Sequence, residues 1–218
     1  MKLSLSQLES ARRRPKFVAA AQLRTFKGMR PTFAGYWGFA VKLYHKLVKA
    51  NDPQSVQKAQ DYLLQHCRAK LSQDPNFDSK IALYTNRLNE YFASHARLNQ
   101  PTIQTNKRIQ FTKIPGHLVS GTIGRLDIIP AGGFAATNFE ERGSDWKSQL
   151  RIPIIQQALA DELGRHRGEI RVGMYCIESG SHEYITLPDA VIQKGISELK
   201  NVLDAVEVEI ERLRRLKS

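Results

Sequence analysis

Cysteine is nearly absent: Cys67 and Cys176 are the only two in 218 residues, too few for a disulfide framework and in no C-x-x-C spacing that would hold zinc. Reduced thiols are the expectation. No apolar run approaches the roughly 20 residues that a membrane span needs, and the opening MKLSLSQLESARRRPKF has no apolar stretch leading to a small-residue cleavage site. These absences predict a soluble, cytoplasmic protein with no membrane partner. Gly116, Gly121 and Gly124 do not form the G-x-x-x-x-G-K-[ST] loop of a nucleotide-hydrolysing motor. Internal repeats and low-complexity tracts are missing too, and a composition 41% hydrophobic and 25% charged excludes disorder.

Acid is scarce in one place. Residues 1–50 carry Lys2, Arg12, Arg13, Arg14, Lys16, Arg24, Lys27, Arg30, Lys42, Lys46 and Lys49 against Glu9 alone, so 11 minus 1 puts +10 of the net +12 in that stretch. Localised positive charge points to a polyanionic partner, with a merely solubilising basic face as the alternative. Phe17, Phe26, Phe33, Tyr36, Trp37 and Phe39 are interleaved with these charges. They suit stacking on bases, but helical spacing assigns most of them to a core.

Apolar positions recur every three or four residues through residue 97, with Asp52-Pro53 and Asp74-Pro75 at the breaks, which predicts four to five helices before any strand. From Pro101 the period becomes two. TIQTNKRIQFTKI, LVSGTIGRLDII and FAATNFEE read as a three-strand meander turning at Gly132-Gly133. Ser144 can cap a helix that Gly164 stops, with Pro153 kinking it or delaying its start. Two strands, EIRVGMYCIES and HEYITL, precede a long amphipathic helix from Asp189. The expected fold is α/β (α+β): a helical region over 1–100, and over 101–218 a mixed sheet flanked by helices.

Gly124-Arg125-Leu126-Asp127, the Gly-Gly turn, a second strand and a helix near Trp146 with Gln149-Leu150 resemble the PD-(D/E)XK nuclease superfamily, most closely its RecB-type branch, which includes the nuclease of CRISPR adaptation. The opening Leu3-Ser4-Leu5-Ser6-Gln7-Leu8 with Arg14-Pro15-Lys16-Phe17, and the closing strand, strand and long helix, agree in order and spacing. The resemblance implies a magnesium- or manganese-dependent deoxyribonuclease acting in DNA repair, defence or mobile-element processing, with DNA as partner and possible recruitment by a helicase or nucleoprotein complex. Phosphodiester hydrolysis needs divalent cations held by hard oxygens, and two carboxylates on adjacent strands provide them.

Carried over position by position, the resemblance makes Asp127 the first carboxylate. It puts Asn138 where the family has an acid and Glu140 where it has Lys; sliding by two residues makes Glu140 the acid and Arg142 the base. Gln149 keeps the first half of a Gln-x-x-x-Tyr helix motif, whose second half falls on Pro153. The family's metal-binding His falls on Lys42, with His45 one turn later as its substitute. Asp127, Asn138, Glu140 and Gln149 are therefore the candidate catalytic residues, and Asp127, Glu140 and His45 the candidate metal ligands. Arg12, Arg13, Arg14, Lys16, Lys42, Arg125, Arg142 and Lys147 are candidate DNA contacts. Arg14 stands where iron–sulfur members carry Cys, so no cluster is expected. The departures leave two alternatives to an active nuclease: a catalytically degenerate nuclease-fold subunit that binds DNA within a larger complex, and a basic module that binds RNA or protein.

Overall fold

A computed structural model describes residues 1–23, 32–98, 100–143 and 145–216. Its helices are α1 (Leu8–Arg13), α2 (Pro15–Gln22), α3 (Phe33–Lys49), α4 (Ser55–Leu71), α5 (Phe77–Leu98), α6 (Arg151–Leu163) and α7 (Asp189–Arg215). Its strands are β1 (Lys2–Ser4), β2 (Thr102–Phe111), β3 (Leu118–Ile128), β4 (Phe134–Glu140), β5 (Ile170–Cys176) and β6 (His182–Ile185), joined in one mixed sheet of order β1-β3-β4-β5-β6 with β2 on β3. The β2–β3–β4 meander is antiparallel, β4 and β5 run parallel, and β6 returns antiparallel on β5.

The expectation that only helices precede the strands is corrected at β1. Leu3-x-Leu5 alternates too briefly to display a period, yet Leu3 pairs with Val119 in a parallel register and is buried. Residues 1–22 thus join the sheet and α7. The turn into β4 is as read: Gly132 and Gly133 take φ of 100° and 89°, in the left-handed region where a side chain is strained. Gly164 closes α6 at φ 61°.

Each sheet face carries its own core. On one, α6, α7, α1 and α2 bury Leu3, Leu5, Val18, Ile123, Leu126, Ile155, Leu159 and Leu203. Residues Ile152 to Ala160 are all buried, Gln156 and Gln157 included, so α6 is the central helix of this layer. Glu9, the one acid of the first 50 residues, accepts the Leu150 N–H at 2.6 Å and so anchors the start of α6. On the other face α3, α4 and α5 bury an aromatic-rich set, with Trp37 stacked on Tyr175 at 5.5 Å and Tyr91 edge-on to Trp37 at 5.4 Å. Hydrophobic burial of this kind contributes about 25 cal/mol per Å².

Pro153 falls in the first turn of α6, where its missing N–H costs no helical bond, so the helix starts late and is not kinked. Ser144, the expected cap, lies outside the described residues. Trp146–Ser148 form a separate 3-10 turn, and Gln149 precedes α6. Gln149 and Pro153 are therefore not one turn apart on a helix.

Candidate functional site

Asp127 is fully buried on β3 against the α3–α5 layer, and both of its carboxylate oxygens are engaged. Thr102 Oγ1 donates to Oδ1 at 2.7 Å and Arg125 Nε donates to Oδ2 at 2.7 Å. Arg125 is also 0% exposed. It stands two residues before Asp127 on the same strand, so the pleat puts both side chains on one face. The register shift in β2 between Thr102 and Gln104 brings Thr102 opposite Asp127.

A ring of hydroxyls and imidazoles surrounds the pair. Arg125 Nη1 donates to Tyr91 Oη at 2.5 Å and Nη2 to Tyr184 Oη at 3.4 Å, with the Tyr91 ring 5.4 Å from the guanidinium carbon. His45 Nε2 meets Tyr91 Oη at 2.6 Å. Because that oxygen already accepts from Arg125, its own proton is best directed to His45 Nε2. His95 Nε2 lies 3.1 Å from Thr102 Oγ1, and Thr137 Oγ1 contacts Tyr184 Oη at 2.8 Å and His182 Nε2 at 3.3 Å.

The electrostatics follow from burial beside one cation. Desolvation pushes His45 down to about 2, His95 to about 4 and His182 to about 3, and the Arg125 charge adds to each shift. All three are neutral at physiological pH. Desolvation raises the Asp127 carboxyl, while Arg125 and Thr102 oppose the shift. Arg125 itself is held above its ordinary value by Tyr91, Asp127 and Tyr184, which outweigh its desolvation.

The other sequence-predicted centre lies across the sheet. Asp127 pairs with Ala135 and Arg125 with Thr137, so Asp127 shares its face with Ala135, Thr137 and Phe139. Asn138 and Glu140 point to the α6 side. Asn138 pairs with Met174, a member of the α6–α7 core, and its Nδ2 is buried with no hydrogen-bond partner among the described residues. Glu140 forms an ion pair with Arg151 at the start of α6. The structure thus links His45 to Asp127 through Tyr91 and Arg125, and puts Asn138 and Glu140 on the opposite face of the sheet. An acid-x-Lys pair on Asp127's face would fall on Thr137 and Phe139, which supply neither a carboxylate nor a cation.

The donor set on this face does not fit a hard divalent cation. It offers one carboxylate, already neutralised by a guanidinium in contact with it, and three imidazoles, whereas magnesium takes oxygen ligands and the attacking and leaving oxygens need a cation free of competition. Among the described residues, no group of three or more His, Cys, Asp or Glu is arranged to hold a metal ion.

The basic candidates separate as well. Arg125 is interior, so it is not on a surface that meets phosphate. Arg12 pairs with Glu198 at 2.5 Å and Lys147 with Glu183 at 2.8 Å. Arg13 and Arg14 line a groove with Glu9, Ser10 and Phe17, a ring 68% exposed. Lys16 and Lys42 are exposed, and Arg142 borders a cleft with Glu141, Glu178 and Tyr84. Arg24, Phe26, Lys27 and Arg30 lie outside the described residues. Of the remaining aromatics, Phe33 and Trp37 are core and Phe39 is 50% exposed.

Sequence reading missed Arg125 as the counter-ion of Asp127, together with Tyr91, His95, Thr102, Thr137, His182 and Tyr184. Two signals were available: Arg125-x-Asp127 and His182-x-Tyr184 both place polar side chains on one face of a strand.

No described protein family and no curated protein matches the chain. Among solved structures it is similar to a provisionally named exonuclease from Eubacterium rectale, at 11% identity over 95% of this chain and 82% of that one, with a TM-score of 0.57. A second, SSO0001, aligns at 8% identity over 89% and 85% with a TM-score of 0.31, too low to bear on the fold. The first likeness shows a fold shared with that protein. No helix among the described residues is long and apolar enough to cross a membrane.

Proposed function

We propose that this chain is a nuclease-fold protein that binds DNA and does not hydrolyse it at the Asp127 position. The observation that carries this reading is the buried Arg125–Asp127 ion pair: the carboxylate that would hold the metal serves as counter-ion to an interior guanidinium, and among the described residues it belongs to no group of three or more His, Cys, Asp or Glu that could hold a metal ion. Support for DNA as the ligand comes from the +12 net charge, concentrated in the first 50 residues. A role within a larger nucleoprotein complex, with a helicase or other partner presenting the strand, follows from binding without turnover.

A second reading is a magnesium- or manganese-dependent deoxyribonuclease working in repair, defence or mobile-element processing. The likeness to a provisionally named exonuclease over 95% of the chain favours it. Hydrolysis by that route requires Arg125 to release Asp127.

The test is incubation of the wild-type protein with labelled single- and double-stranded DNA, with and without magnesium or manganese, reading mobility shift and product length together. Binding with intact DNA under both metals supports the proposal. Metal-dependent shortening of the DNA supports the second reading, and equal affinity for RNA would favour a general basic module instead.

A further inference from the structure

The outer face of α3 combines glycine, an exposed aromatic ring and lysines; of these, Gly35 serves the helix cap, its N–H donating to Thr32 Oγ1 at 3.0 Å. Gly35, Gly38, Phe39, Lys42, Lys46 and Lys49 recur at three and four residues and so fall on one strip, about 100° wide at 3.6 residues per turn. The helix carries no acid anywhere along its length, and Lys42, Lys46 and Lys49 have no ion-pair partner among the described residues. Phe39 leaves half its surface in water although Trp37, Val41 and Tyr44 of the same helix are buried.

Gly38 is the second, independent observation. A Cβ built there meets nothing within 4 Å, so no packing among the described residues demands a glycine. Glycine inside a helix is unfavourable relative to alanine, and the described residues show no packing that offsets it. An open backbone beside an exposed ring and a row of uncompensated ammonium groups suits a ligand that lies close against the helix. The groove at Phe17 is less suitable, because Glu9 contributes an opposing charge to it.

We infer that the outer face of α3 is a platform for unpaired, single-stranded nucleic acid. A base stacks on Phe39, the sugar-phosphate backbone passes over Gly35 and Gly38, and successive phosphates meet Lys42, Lys46 and Lys49. Duplex DNA offers this strip its phosphates but no free base face. The inference rests on the nucleic-acid reading above and specifies the ligand's state.

The experiment measures anisotropy of a short fluorescent oligothymidine and of a duplex of equal length with wild type, Phe39→Ala, Gly38→Ala, Lys42→Ala and Lys46→Ala. Phe39→Ala is expected to weaken oligothymidine binding by about 5- to 100-fold and to leave duplex affinity within about twofold. Lys42→Ala and Lys46→Ala should weaken both ligands and each lower the salt slope by about one. Gly38→Ala should raise the melting temperature while weakening oligothymidine binding, a combination that loss of folding cannot produce. Binding unchanged by Phe39→Ala but weakened by the lysine variants would overturn the stacking platform and leave the DNA reading standing. Wild-type affinity in all four variants would also overturn it, placing the nucleic acid elsewhere on the chain. Failure of the wild type to bind either oligonucleotide would overturn the DNA reading itself.

Discussion

Arg125 and Asp127 neutralise each other in an interior that leaves neither any solvent. Removing one partner strands the other charge, whereas replacing both by uncharged groups removes the desolvation cost along with the attraction. Arg125→Met and Asp127→Asn are each expected to destabilise the protein by roughly 3–5 kcal/mol, and the double variant by much less than their sum, in a urea-denaturation cycle. Simple additivity would show that the two side chains do not act as a pair. The histidines add a pH dependence of definite sign. Their folded values, about 2, 4 and 3 for His45, His95 and His182, lie below the ordinary 6.5, so the unfolded chain takes up protons first. Stability is fully present above about pH 6.5 and falls as acid titrates the unfolded chain toward the folded values, by roughly 1.4 kcal/mol per pH unit for each histidine kept neutral. Asp127, raised in the folded state, works in the opposite direction at lower pH. Melting temperature between pH 7 and about pH 4.5 should drop, and drop less steeply in His45→Gln.

At the scale of elements the site depends on which way a strand faces. Asp127 reaches the helical layer because the β3–β4 hairpin turns over Gly132-Gly133, which sets Ala135 opposite it. A Cβ at Gly133 would lie 2.3 Å from the Glu169 carbonyl oxygen, and the φ of 89° is strained for any side chain. Gly133→Ala should therefore cost more than about 1 kcal/mol in thermal denaturation, while alanine at Gly164, with open space around its Cβ, should cost less despite its own positive φ. The strands, the turn and the long final helix were legible in the sequence because their periods run long enough to read. The short β1 was not, since three residues cannot show alternation, whereas the late start of α6 was one of the two outcomes that Pro153 allowed. Asp127 was legible as a special position; His45, singled out as a metal ligand, instead meets Tyr91 and is linked to Asp127 through Tyr91 and Arg125. Asn138 and Glu140 were misplaced relative to Asp127 because motif spacing counts residues along the chain, whereas the pleat alternates their faces, and a shift of one residue sends a side chain across the sheet.

In the whole molecule the positive charge of the described N-terminal residues is divided between two layers. α1 and α2 pack with α7 on one side of the sheet, and α3 packs with α4 and α5 on the other. Binding to DNA should be steeply salt dependent, since each phosphate neutralised releases close to one counterion, and a log affinity against log salt slope flatter than about −2 would argue against a surface that meets several phosphates. The centre between the sheet and α5 holds, on the proposed reading, a buried ion pair tied to α5 through Tyr91 in place of a metal. The measurement that bears on this most directly is manganese binding followed by electron paramagnetic resonance, on wild type and on the Arg125→Met/Asp127→Asn double variant. The predicted result is no saturable site in wild type that the double variant lacks. A stoichiometric manganese site lost in the double variant, accompanied by cleavage of DNA in wild type alone, would contradict it and restore Asp127 as a metal ligand.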